Sequence, residues 1–190
     1  MLPLLITFSA LKHHTSKLSS YNDLDSLQTF GFRGEALSSL CALSNLHIVT
    51  ARAEDAPKGT RLNFETSGSI QDKAVVASQR GTLVAVENLF SNLPVRRRDL
   101  EKNIKREYGK VLVIIQAYAC ISVNVKLTVS NTLANGRKLV AFATQANPST
   151  RENIANVFGA KALSGLLALN LDLELNRSRR SSTGNQDSQR

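Results

Sequence analysis

Thr29-Phe30-Gly31-Phe32-Arg33-Gly34-Glu35-Ala36-Leu37-Ser38-Ser39-Leu40 is the stretch on which the reading of this chain turns. Two glycines precede an apolar helical pattern that opens at Glu35. Glycine accepts positive φ and lets the backbone come close to a ligand. A helix that starts behind such a loop offers unpaired N–H groups and the positive end of a dipole, which together suit an anion. Upstream, Lys12-His13-His14-Thr15-Ser16-Lys17 brings two cations and two hydroxyls. Downstream, Arg80-Gly81-Thr82 opens a strand pattern. Each piece alone is common in proteins, and an ordinary loop-to-helix turn has the same spacing.

The 190 residues suffice for one domain, or one domain and part of another. An apolar content of 42% and a charged content of 21% suit a globular protein. The net charge of +9, from 24 Lys+Arg against 15 Asp+Glu, suits a polyanionic partner. Cys41 and Cys120 lie in apolar helical patterns without metal-ligand spacing, so reduced buried thiols are expected. Adjacent His13 and His14 have no third ligand, and no metal site is expected there. Met1 to Ala10 is apolar but too short to span a bilayer, and no cation precedes it. A core strand or an altered start is expected.

Leu11 to Ser20 reads as a polar, basic loop or lid. A helix is expected over Glu35 to Ser44, with Leu37, Leu40 and Cys41 as its buried stripe. Strands are expected over Leu46 to Ala51, Thr60 to Thr66, Ser69 to Ala74 and Thr82 to Val86. Ser67-Gly68 suits a hairpin turn, and Lys58-Gly59-Thr60 reads as a turn. Asp99 to Ala119 is the clearest helix, with Leu100, Ile104, Tyr108, Val111, Ile115 and Tyr118 on one face. Strands over Ile121 to Ser130 and Lys138 to Thr144 flank the Asn135-Gly136 turn. Ser149-Thr150-Arg151-Glu152 is a capping box that opens a helix ending at Gly159. Asn176 to Arg190 has no apolar residue and is expected to be disordered. These patterns mix helix and strand, an α+β class.

Three segments together carry a family resemblance. They are Lys12-His13-His14-Thr15-Ser16-Lys17, Gly31-Phe32-Arg33-Gly34-Glu35-Ala36-Leu37-Ser38-Ser39-Leu40, and Arg80-Gly81-Thr82 followed by Leu89-Phe90-Ser91-Asn92-Leu93-Pro94-Val95-Arg96-Arg97. The chain resembles the MutL-type DNA mismatch-repair ATPases over about residues 8 to 175, and its Lys12 to Lys17 wording is closest to the eukaryotic PMS-type branch. The resemblance implies a gyrase B/Hsp90/histidine kinase/MutL-type ATPase domain, a mixed sheet with helices on one face, over residues 1–95. It implies the start of a second, transducer-type (ribosomal-S5-like) α/β domain over 96–175, before a basic tail at 176–190.

The cofactor implied is ATP with Mg²⁺. Its phosphates would meet Gly31, Phe32, Arg33, Gly34, Glu35, Ala36 and Leu37, mainly through backbone N–H groups. Thr15, Ser16 and Lys17 would belong to a lid over the nucleotide, and Gly81 and Thr82 would lie near it. Arg96, Arg97 and Arg98, with Lys102, Lys105, Arg106 and Lys110, form a dense cationic cluster. From Arg96 to Lys110, seven positive and three negative residues leave +4. Such a cluster suits sequence-independent contact with DNA phosphates, and a solvated helix face would carry the same charges. The resemblance favours DNA at Arg96 and Arg97.

Family members also carry a general-base Glu, a Mg²⁺-binding Asn and an adenine-reading Asp, and no position here matches those motifs. A chain truncated at both ends is therefore expected, with phosphate contacts but no competent turnover and no catalytic residue to name. Glu35, at a helix start, suits a cap or an ion pair better than a substitute base. The implied role is mismatch repair in the nucleus as an ATP-driven clamp. The implied partners are DNA, a second MutL-type subunit and mismatch-recognition proteins, with no membrane. The alternative is a non-catalytic fragment that binds DNA or a repair subunit.

Overall fold

The computed structural model describes residues 10–18, 20–27, 29, 31–167 and 169. The apolar start and the Asn176 to Arg190 tail lie outside the described residues, except for Ala10. The chain divides into two compact units, Met1–Tyr108 and Gly109–Arg190.

In the first unit, α1 (Ala36–Leu43) leads through Ser44 into β1 (Asn45–Ala51). Then follow β2 (Lys58–Phe64), β3 (Ile70–Ala77) and β4 (Gly81–Glu87). They form one antiparallel sheet in the order β3-β2-β1-β4. The alternation in β1 puts Leu46 and Ile48 on one face, and Leu62 stands opposite Ile48. These residues, Phe64, Cys41 and Ala10 make the core, with Leu37, Leu40 and Ile70 packed against it. The predicted stripe of α1 is therefore the face laid on the sheet. Burying these side chains supplies the main drive for this layer pair.

The hairpin at Ser67-Gly68 forms, closed by bonds from Gly68 N–H to the Glu65 carbonyl and from Glu65 N–H to the Ser69 carbonyl, each 2.9 Å. Lys58-Gly59-Thr60 differs from expectation: it opens β2 and is not a turn. The reversal comes earlier, where Arg52 pairs with Asp55 at 2.6 Å and Lys58 N–H reaches the Asp55 carbonyl at 2.8 Å.

The long helix α2 runs over Pro94–Ile121, extending beyond the expected span at both ends. Proline fits a first turn, where its missing N–H costs nothing. The division between the units falls within α2. Ala119 is its one buried residue, and Ile104, Val111 and Tyr118 of the expected apolar face are 53%, 49% and 48% exposed.

In the second unit, β5 (Thr128–Thr132) and β6 (Lys138–Ala143) form a hairpin, followed by α3 (Thr150–Phe158). The strand expected from Ile121 does not start until Thr128. The intervening backbone finds side-chain and loop partners instead of a ladder. Asn153 Nδ2 donates to the Cys120 carbonyl at 3.3 Å and the Ser122 carbonyl at 3.2 Å. Leu127 N–H donates to Thr144 Oγ1 at 3.0 Å, and that hydroxyl donates to the Val125 carbonyl at 3.1 Å. Ser149 Oγ caps α3 by accepting from Glu152 N–H at 3.3 Å, and Gly159 ends the helix. The fully buried residue of α3 is Asn153, whereas Phe158 is 53% exposed.

Both cysteines are free, Cys41 buried and Cys120 partly so. Burial pushes both thiols above the ordinary range. Among the described residues, no helix is long and apolar enough to cross a membrane.

Replacing Asn153 by alanine strips two carbonyls of their donor and leaves the Asn147 amide without one of its acceptors. Urea unfolding of Asn153→Ala should show a loss of about 2–4 kcal/mol.

Candidate functional site

The glycine loop ends at Glu35, which caps α1 by position but makes no side-chain cap bond. The orphan N–H groups of Ala36, Leu37 and Ser38 thus have no capping side chain, and Ser39 N–H is the first to bond back, to the Glu35 carbonyl at 3.0 Å. Gly31, Phe32, Arg33 and Ala36 are exposed, while Gly34, Glu35 and Leu37 are half-buried. Leu37 faces the core, so only its backbone can serve a ligand. Thr29 Oγ1 donates to the Gly31 carbonyl at 3.0 Å and tightens the entry of the loop.

The 12–17 segment is laid against this loop. His13 N–H donates to the Gly34 carbonyl at 3.1 Å. Gly34 has φ +68, and a Cβ there would strike the His14 carbonyl oxygen. Gly68, at φ +86, receives the Ala10 carbonyl in the same way. Two glycines thus hold the backbone between Ala10 and His14 from both ends. Lys17 reaches back toward the loop, its Nζ 3.9 Å from where a Gly31 Cβ would stand. Lys17 N–H donates to Thr15 Oγ1 at 3.2 Å. The Lys17 ammonium therefore stands beside Gly31 of the loop.

Glu35 is held by its neighbours. Its Oε1 lies 3.2 Å from His13 Nδ1, and its Oε2 lies 2.9 Å from Arg33 Nε. The His13 contact joins residues 22 positions apart, so local spacing gave no sign of it. Gly81 and Thr82 stand opposite Ala51 and Thr50, at the end of β1 away from the α1 C-terminus. The Thr82 hydroxyl is 2.9 Å from that of Thr50. At the other end of α1, Phe90 N–H donates to the Leu43 carbonyl at 2.7 Å and Asn92 Nδ2 to the Ala42 carbonyl at 2.8 Å. This fixing role of the Phe90-Ser91-Asn92 segment was not legible in its spacing.

The cationic cluster lies on exposed turns of α2. Arg97 pairs with Glu101 at 3.0 Å and Arg106 with Glu107 at 3.1 Å. Arg96, Arg98, Lys102 and Lys105 have no carboxylate within ion-pair distance among the described residues. Arg98, Lys102 and Lys105 share one face, spread over about 10 Å of helix. Among the described residues, no group of three or more His, Cys, Asp or Glu is placed to hold a metal ion.

Comparison with known proteins gives these features a context. Over 159 residues, 84% of the chain, it is 50% identical to the DNA mismatch repair protein pms1 of Schizosaccharomyces pombe, covering 20% of that protein. It is 47% identical over 157 residues to the mismatch repair endonuclease PMS2 of Homo sapiens, covering 83% of this chain and 18% of that one. The chain belongs to the PMS branch of the MutL-type mismatch-repair family. This MutL-type chain spans about a fifth of the length of the curated relatives it matches. A solved N-terminal domain of a DNA repair protein superposes with a TM-score of 0.75 at 40% identity, over 90% of this chain and 48% of that one. The Aquifex aeolicus MutL ATPase domain complexed with ADP does so with a TM-score of 0.52 at 29% identity, over 73% of this chain and 52% of that one. The α+β fold is that of MutL-type ATPase domains. No protein-family model matches the chain.

Alanine at Gly34 and at Gly109 should act with opposite signs. Gly34→Ala forces the His14 backbone away and should cost roughly 1–3 kcal/mol. Gly109 lies in α2 with nothing within 4 Å of an added Cβ, so Gly109→Ala should stabilise by about 0.5–1 kcal/mol. Thermal unfolding of the two variants beside the parent chain measures both.

Proposed function

We propose that this chain binds the phosphates of an adenine nucleotide at the start of α1, and that it serves DNA mismatch repair as part of a MutL-type ATPase clamp. The observation that carries the reading is the uncapped N-terminus of α1, with the 12–17 segment held beside it. Uncapped amides at a helix start, and an ammonium and two hydroxyls on the adjoining segment, are the donor types that phosphate oxygens need. The ADP complex of the Aquifex aeolicus MutL domain supports a nucleotide as the anion.

In this reading, backbone N–H groups of Gly34 to Leu37 hold phosphate, and Gly31 to Arg33 shape the loop. Lys17 supplies a point charge, Thr15 and Ser16 donate hydroxyls, and Glu35 stands at the helix mouth. Gly81 and Thr82 flank the nucleotide, with the Thr82 hydroxyl exchanging its Thr50 partner. Among the described residues, carboxylates and histidines do not converge as a Mg²⁺ site. Residues 1–95 would form the nucleotide unit and 96–175 the transducer-type unit.

Arg96, Arg98, Lys102 and Lys105 would contact DNA phosphates of any sequence, with Arg97 and Arg106 joining by exchanging their carboxylate partners. A second MutL-type subunit, mismatch-recognition proteins and a nuclear location complete the reading, as suits eukaryotic mismatch-repair relatives. The unpaired cations of α2 also favour a second reading, a chain that binds DNA or a repair subunit without nucleotide.

Equilibrium titration of the purified chain with fluorescent ADP tests the first reading. Saturable binding weakened about tenfold by Lys17→Ala, the loss of one charge-assisted phosphate contact, is expected. No binding at millimolar ADP would leave the second reading. DNA binding should weaken with salt, and Arg98→Ala and Lys102→Ala should each reduce the slope of log affinity against log salt by about 0.9, without changing sequence preference.

A further inference from the structure

The half-buried Glu35 carboxylate is already engaged on both oxygens, by Arg33 Nε and by His13 Nδ1. A negative side chain so committed is poorly suited to touch phosphate itself. Its partner His13 has φ +64, a left-handed conformation that side-chain-bearing residues adopt only when their surroundings hold them there. Three contacts hold it: the bond from its own N–H to the Gly34 carbonyl at 3.1 Å, the bond from His14 N–H to the Leu11 carbonyl at 3.3 Å that closes the turn around it, and the Glu35 carboxylate. The groups around the pair are Arg33 from the glycine loop, and Lys12 and His14 on either side of His13. The His14 ring has its Nδ1 3.1 Å from the Lys12 carbonyl. Beyond them Lys17 reaches Gly31, its Nζ 3.9 Å from where a Cβ would stand.

From this arrangement we infer that Glu35 is a positioning residue, a latch that fixes the hinge at His13 and so sets the Thr15-Ser16-Lys17 arm against the glycine loop. With the latch closed, the arm's amides are ordered before any ligand arrives, and less ordering remains for binding. With it open, backbone contacts alone hold the turn at His13, and the arm beyond it is freer to move. The consequence for affinity rests on the nucleotide reading above; the latch does not.

Two measurements on the purified 190-residue chain separate these claims. The first is amide hydrogen exchange of the 12–17 segment without nucleotide. Glu35→Gln and His13→Gln should each speed it about fivefold, and the double variant should be no faster than the faster single one. His13→Lys, which places an ammonium donor within reach of the carboxylate, should hold exchange to within about twofold of the parent. General loosening of the fold would not be rescued in this way. Should Glu35→Gln fail to fold, Glu35→Asp carries the same test with a smaller increase.

The second measurement is ADP titration, in which both glutamine variants should bind about tenfold more weakly. Unchanged exchange in Glu35→Gln, additive effects in the double variant, or tighter ADP binding on loss of the carboxylate would each overturn the latch. Exchange that responds as expected in a chain that binds no ADP would support the latch and remove the nucleotide reading.

Discussion

A carbonyl oxygen rests where a side chain would stand: the His14 backbone lies against the bare Cα of Gly34. The site depends on this contact. It brings a segment early in the chain onto the loop before α1 and lets the Gly34 carbonyl accept from His13 N–H. Gly68 performs the same service for Ala10 on the far side of the sheet's hairpin. Glycine here is a requirement of space as well as of dihedral angle. The cost of ordering residues 10–14 is set against backbone contacts and the burial of Ala10.

The two ends of α1 are treated differently. Its C-terminal carbonyls receive donors from Phe90 and Asn92, and Ser44 Oγ donates to the Leu40 carbonyl at 2.6 Å. Its N-terminal amides receive no capping side chain. Helices ordinarily satisfy both ends, so an end left open at a surface loop is where an anion gains most. The sheet beneath α1 fixes the helix through Leu46, Ile48, Leu62 and Phe64, which keeps the open end in place.

In the second unit, polar groups do the organising. Asn153 and Thr144 are fully buried, and each satisfies main-chain groups that belong to no ladder. A buried amide or hydroxyl is costly unless every partner is present. Satisfied, these groups fix where the chain turns after α2. Their presence explains why the alternation of Ile121, Val123, Val125 and Leu127 does not make a strand.

By itself the sequence determined the periodic elements. Leu37, Leu40 and Cys41 marked the buried face of α1, Ser67-Gly68 the hairpin, and Ser149 to Glu152 the start of α3. The glycine loop and its neighbouring cations pointed to phosphate. Those signals are local, because they depend on side-chain spacing within one element. Only the tertiary structure decided the contacts between distant residues: His13 with Glu35, Asn92 with Ala42, and Asn153 with the end of α2. It also decided that Lys58 opens a strand, and that half of α2's apolar face stays uncovered. Such contacts arise when packing brings separate segments into hydrogen-bond range, and no period along a single segment encodes the partner.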